Sequence, residues 1–198
     1  MDSQEIKELV VSAVVLAFVF AYQGIGNLSV LPTMFVVSLL SISIAFIFHE
    51  LAHRTIARYY GCYARFQMWS FGLKVALLFA ILTNGNFVFA APGAVVIYPR
   101  IDLWGSRKPI TKKESAIISL GGPGMNVLLA VVSFALIHLV AVGGIIQTIL
   151  TYSMKINLWL ALFNMIPIPP LDGSKIFGWN RKIWAVVFIL LLVLFFVF

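Results

Sequence analysis

Residues 28–53 read LSVLPTMFVVSLLSISIAFIFHELAH, an apolar run that closes on two histidines and a glutamate. From Leu9 to Phe48 the chain carries no Asp, Glu, Lys or Arg. A helix needs about 20 mainly apolar residues to cross a bilayer, and the run starting at Leu28 supplies them, with Pro32 in its first turn where the missing N–H costs little. It reads as a membrane helix that delivers ionisable side chains at its end.

The remaining apolar stretches build outward from it. Residues 9–22 form a shorter run before it, separated by the turn-prone Gln23-Gly24-Ile25-Gly26-Asn27. Ser115 to Met154 is again uncharged, with a turn expected at Gly143-Gly144, and a last run ends the chain. The expected crossings lie near 9–22, 28–53, 115–142, 145–166 and 183–198. Residues 1–8 hold Asp2, Glu5 and Glu8, unlike the basic start of a removable signal peptide. Composition agrees: 62% of residues are hydrophobic and 11% charged, against about 45–50% and 25% in soluble domains. A soluble enzyme and a disordered chain are both excluded. The expected fold is mainly α, a single polytopic transmembrane helical bundle of about five spans.

Residues 65–98 do not fit that pattern. Their apolar pieces are short, Asn84-Gly85 and Pro92-Gly93 are turn pairs, and Phe87-Val88-Phe89 and Val95-Val96-Ile97 have strand character. A small membrane-associated β or re-entrant region is expected between the second and third spans.

The charge balance is 14 Lys and Arg against 7 Asp and Glu, a net of +7. Arg54, Arg58 and Arg65 follow the second run; Arg100, Arg107, Lys108, Lys112 and Lys113 precede the third; Lys175, Arg181 and Lys182 precede the last. Such clusters mark cytoplasmic loops, so the excess is read as topology and no nucleic-acid partner is expected. The lipid bilayer is the expected surrounding. Cys62 is the single cysteine, read as a small buried hydrophobe.

His49-Glu50-Leu51-Ala52-His53 carries the chemistry. Two histidines four positions apart sit about 40° apart on one helix face, so both imidazoles can meet one Zn²⁺ with Glu50 beside it. A catalytic zinc needs a third protein ligand. The remaining donors are Asp2, Glu5, Glu8, Cys62, Asp102, Glu114, His138 and Asp172. The first three are expected to be peripheral, Asp102 and Glu114 to be solvated or paired in the basic loop, and His138 to lie at the far end of its helix. Asp172 follows Asn164-Met165-Ile166-Pro167-Ile168-Pro169-Pro170-Leu171, where prolines break a membrane helix. Irregular backbone at that depth lines protein or a wet cavity, so Asp172 either faces a metal or forms an exposed turn. Asn126, in Gly121-Gly122-Pro123-Gly124-Met125-Asn126, needs a partner, either a backbone group or a substrate. Lys155, inside an apolar run, is expected to snorkel to the outer interface or face the bundle.

HELAH late in a membrane helix, then GPGMN, then NMIPIPPLDG resembles the site-2 protease family of intramembrane zinc metalloproteases. The resemblance spans the second run to Gly173, in the family's motif order and in a compact form without a PDZ-like insertion between the second and third spans. It implies one Zn²⁺ held by His49, His53 and Asp172, with Glu50 as catalytic acid/base acting on a zinc-activated water. It also implies Asn126 and Asn164 as substrate or oxyanion contacts. The implied activity is peptide-bond hydrolysis in or near transmembrane segments of membrane-protein substrates, as in regulated intramembrane proteolysis. Three other readings stand beside it: a zinc protease using Glu114 as third ligand, a metal-ion transporter or metal-binding membrane module, and a catalytically silent relative acting as a binding scaffold, against which the intact Glu50 argues. Transporters usually spread ionisable groups over several helices and show repeated halves; here the donors gather at one depth and no repeat is visible.

Overall fold

A computed structural model describes residues 2–101, 107–140 and 142–198. Asp102 and much of its basic loop lie outside the described residues. The elements, in order, are α1 (Ser3–Ala21), α2 (Leu31–Tyr59), β1 (Tyr63–Met68), α3 (Ser70–Leu82), β2 (Gly93–Tyr98), the short β3 (Arg100–Ile101) and β4 (Arg107–Lys108), α4 (Lys112–Leu139), α5 (Gly144–Asn164), α6 (Asp172–Trp179) and α7 (Arg181–Val197).

Among the described residues three helices, α2, α4 and α5, are long and apolar enough to cross a membrane. The protein is therefore built as an integral membrane protein. The first and last expected crossings do fall on helices, but α1 opens with Glu5, Lys7 and Glu8, and α7 has 17 residues. Helix α2 runs to Tyr59, so HELAH sits inside the helix, with its backbone hydrogen bonds intact, rather than at the end. Large apolar side chains such as Val36, Leu40, Ile44, Leu128, Val132 and Ile189 remain exposed along the bundle, which is the surface a bilayer covers.

Helix direction alternates, as contacts between helices at both ends show. At one end Arg54 on α2 meets Glu5 on α1, His53 meets the Ile118 carbonyl of α4, and the Trp184 indole of α7 donates to the Met165 carbonyl just past α5. At the other, Gln23 beyond α1 donates to the Tyr152 hydroxyl of α5, and Phe134 of α4 packs on Phe198. The main core lies between, where Leu9, Leu16, Ile42, Phe46, Ile156, Leu160 and Phe163 interlock.

Residues 65–98 are partly sheet and partly helix. β1 and β2 pair antiparallel, Phe66 opposite Val95 and Ala64 opposite Ile97, so the strand expected at Val95–Ile97 forms. Phe87-Val88-Phe89 does not form a strand; Val88 and Phe89 instead pack on the clusters around α1 and α3. The unexpected element is α3, a mostly apolar helix whose 13 residues are too few to cross a bilayer. β1 is pinned from the N-terminus: the Phe66 N–H donates to Glu5 Oε1 at 3.1 Å and the Met68 N–H to Glu8 Oε2 at 3.0 Å. That Met68 donation, with help from Gln4, holds the Glu8 carboxyl below its ordinary range. Asp2 caps α1 and pairs with Arg65.

Glu5 corrects the expectation that the N-terminal acids are peripheral. It is 2% exposed, and both its oxygens accept from Arg54 Nη1, at 3.1 and 3.2 Å. Arg54 is likewise buried rather than interfacial. A buried carboxylate needs such a partner to remain charged, and a sequence separation of 49 hid it.

Candidate metal centre

One face of α2 presents His49 and His53 inward, both 4% exposed. Each ring is fixed by its Nδ1. His49 Nδ1–H donates to Asn126 Oδ1, and His53 Nδ1–H donates to the Ile118 carbonyl at 2.7 Å. Those donations set the tautomer and leave both Nε2 atoms as acceptors. The adjoining turn of α4 contains Pro123, which withdraws the N–H that Ser119's carbonyl would otherwise receive.

α4 reaches this close only because of Gly122. A Cβ there would collide with the Nε2 atoms of both His49 and His53. Gly173 does the same for α6: a Cβ would strike the Met165 carbonyl. The broken segment after α5 thereby returns Asp172 to the site, where it is 7% exposed. Its Oδ2 lies 3.4 Å from His49 Nε2 and 3.0 Å from His53 Nε2, and the two Nε2 atoms are 3.0 Å apart.

Those three atoms are all acceptors, and three lone-pair donors crowded in a buried space repel unless a cation lies among them. Tetrahedral zinc with bonds of about 2.0–2.1 Å sets its ligands about 3.3 Å apart, which matches the spacing. Among the described residues, His49, His53 and Asp172 form the one group of three His, Cys, Asp or Glu donors able to share an ion. Three protein ligands leave a tetrahedral metal one further position.

Glu50, Asn164, Lys175, Ser119 and the edge of β2 line the same cavity. Glu50 is buried and its Oε2 has no hydrogen-bond partner. Asn164 donates to its own helix, to the Leu160 carbonyl. Lys175 Nζ stands 3.5 Å from Asp172 Oδ1. Asn126 is fully buried and committed within the protein, donating to the Ala45 carbonyl and to Asn157 Oδ1 while accepting from His49. Asn157 passes the network on to Ser153, which meets Ser133. The sequence reading missed Asn157; its signal was an amide in a membrane helix, the feature that singled out Asn126.

The rival donors are placed elsewhere. Glu114 forms a capping box with Thr111 at the start of α4, so it serves the helix end. His138 bonds its own helix at Phe134, exposed at the far end. Cys62 is buried with Ala57, Ala64 and Val95.

The profile of peptidase family M50 matches residues 37–147. A protein of Methanocaldococcus jannaschii whose name describes a zinc metalloprotease is 40% identical over 186 residues, covering 94% of this chain and 90% of its own. A Bacillus subtilis protein, also named as a zinc metalloprotease, is 26% identical over 166 residues, or 75% of this chain and 69% of its own. No solved structure gives a significant match. With the family profile covering more than half of it and the archaeal relative matching nearly all of it, the chain belongs to peptidase family M50, the site-2 protease family of zinc metalloproteases.

Proposed function

We propose that this protease hydrolyses peptide bonds within or beside the transmembrane segments of membrane-protein substrates, at a centre toward the cytoplasm. The observation that carries the reading is the convergence of His49 Nε2, His53 Nε2 and Asp172 Oδ2 beside a glutamate with a free, buried oxygen. His49, His53 and Asp172 would hold the zinc. When bound, zinc acidifies a water and polarises a carbonyl. Glu50 is the proposed general base and acid: its partnerless Oε2 can take the proton of the attacking water and return it to the leaving amine. Asn126 orients His49 through its Nδ1–H, and Asn164 is the proposed substrate contact.

Helical substrates shield their peptide bonds, so the scissile segment must be extended. The register of β1 and β2 leaves the backbone groups of Gly93, Val95 and Ile97 pointing away from β1, and these residues line the metal cavity. A substrate strand added there would lie against the metal with its backbone bonds satisfied. β1 offers no such edge, because Glu5 and Glu8 occupy it. The basic residues that follow α2 and precede α4 and α7 favour a cytoplasmic metal end and five crossings. Family membership displaces the transporter reading.

The test is zinc content together with cleavage of a model membrane-spanning peptide. Glu50→Gln keeps zinc and lowers cleavage by about a hundredfold or more. Asp172→Ala loses zinc, whereas Glu114→Ala retains it. A fully active Glu50→Gln enzyme would overturn the assignment.

A further inference from the structure

Glu50 stands on the wall between two cavities. One holds the metal donors; the other is a small, mostly apolar space lined by Glu5, Leu9, Ile47, Leu51, Arg54, Phe66 and Val95 as well as Glu50. Glu50 Oε2 and Arg54 Nε are both buried and both without a hydrogen-bond partner. They are four residues apart on α2, about 6 Å along the axis, with the acid N-terminal to the base, the order that favours pairing on a helix. In an apolar cavity a carboxylate and a guanidinium so placed would be expected to join. They do not, because Arg54 Nη1 is held by both oxygens of Glu5, which the Phe66 N–H anchors in turn.

The geometry points to Glu5 as a positioning residue for the hydrolysis: it holds Arg54 off Glu50 and so keeps the Glu50 carboxylate available to a water. A buried guanidinium cannot stay unpaired. Without the Glu5 charge, the one other carboxylate lining that cavity is Glu50. Pairing would draw Glu50 toward Arg54 and out of reach of a water in the metal cavity, while the metal ligands, which face that cavity, are untouched. The N-terminal turn of α1 thus acts on the reaction from outside the centre. This inference rests on the reading of Glu50 as the general base.

The experiment compares wild type, Glu5→Gln, Arg54→Gln, the double variant and Glu50→Gln. Zinc Kd is measured by chelator competition, and kcat and KM are measured on a fluorogenic peptide with one apolar span in detergent micelles. Glu5→Gln should lower kcat about tenfold, a coupling typical of contacting charged residues, with KM and zinc Kd little changed. The double variant should recover most of that loss, since removing Arg54 removes the competing partner. An unchanged kcat in Glu5→Gln overturns the inference. So does a double variant no better than Glu5→Gln, or a loss of zinc binding in Glu5→Gln, each of which would make the pair a structural tie only. An active Glu50→Gln overturns instead the reading beneath it, so the two failures are distinguishable.

Discussion

Gly122 shows how finely single residues set this centre. In most helices Gly→Ala is favourable by about 1 kcal/mol, yet here the added methyl would enter the space between the Nε2 atoms of His49 and His53. Gly122→Ala should therefore give a folded protein whose zinc Kd is weaker by more than about a hundredfold, beyond the usual cost of losing an outer hydrogen-bond partner. Chelator competition beside a melting curve checks this; wild-type zinc affinity would show that α4 can retreat by a methyl's width. The sequence made His49, Glu50 and His53 legible because four residues on one turn fix their own geometry. Asp172 needed the family resemblance, since its approach depends on a broken segment folding back. Asn157 carried the same signal as Asn126, an amide in a membrane helix, but its partner on the neighbouring helix could not be read from sequence, and the pairing of Glu5 with Arg54 was not legible because 49 residues separate the two.

At the scale of elements, the informative one is the two-stranded sheet. Its two edges are chemically different: carboxylates from α1 close β1, and β2 faces the cavity. Proline is tolerated at an edge position whose N–H points outward. Ile97→Pro should therefore leave β1–β2 pairing intact while removing one donor from the proposed docking edge. Losing one such hydrogen bond, at about 1 kcal/mol, should lower cleavage of a helical membrane-spanning substrate about fivefold. An already extended peptide should lose less, because it depends less on capture to stay open. Equal losses on the two substrates would refute strand capture. Sequence pattern found β2 from its β-branched run, and failed at Phe87–Phe89, where aromatic residues with strand propensity were drawn into packing against α1 and α3. It also failed at α3, whose residues other than Ser70, Gly72 and Lys74 are all apolar and give no helical periodicity to read.

The whole molecule joins these scales through direction. The starts of α1, α4 and α7 and the ends of α2 and α5 gather at the metal end, and most Lys and Arg residues gather with them. If that end is cytoplasmic and α1 and α7 both cross, then the α4–α5 turn and the α6–α7 junction face opposite compartments. The test uses single cysteines at Gly143 and Asn180 in a Cys62→Ala background, labelled with a membrane-impermeant maleimide. Gly143→Cys should react in intact cells, and Asn180→Cys only after the membrane is opened. The reverse pattern would invert the orientation, and equal labelling of both in intact cells would exclude a crossing between them. Orientation has a chemical consequence. Water and released polar peptide ends must both reach a centre buried among apolar helices, and the charged end of the bundle is the side where the polar residues Lys175 and Asn164 already line the way in.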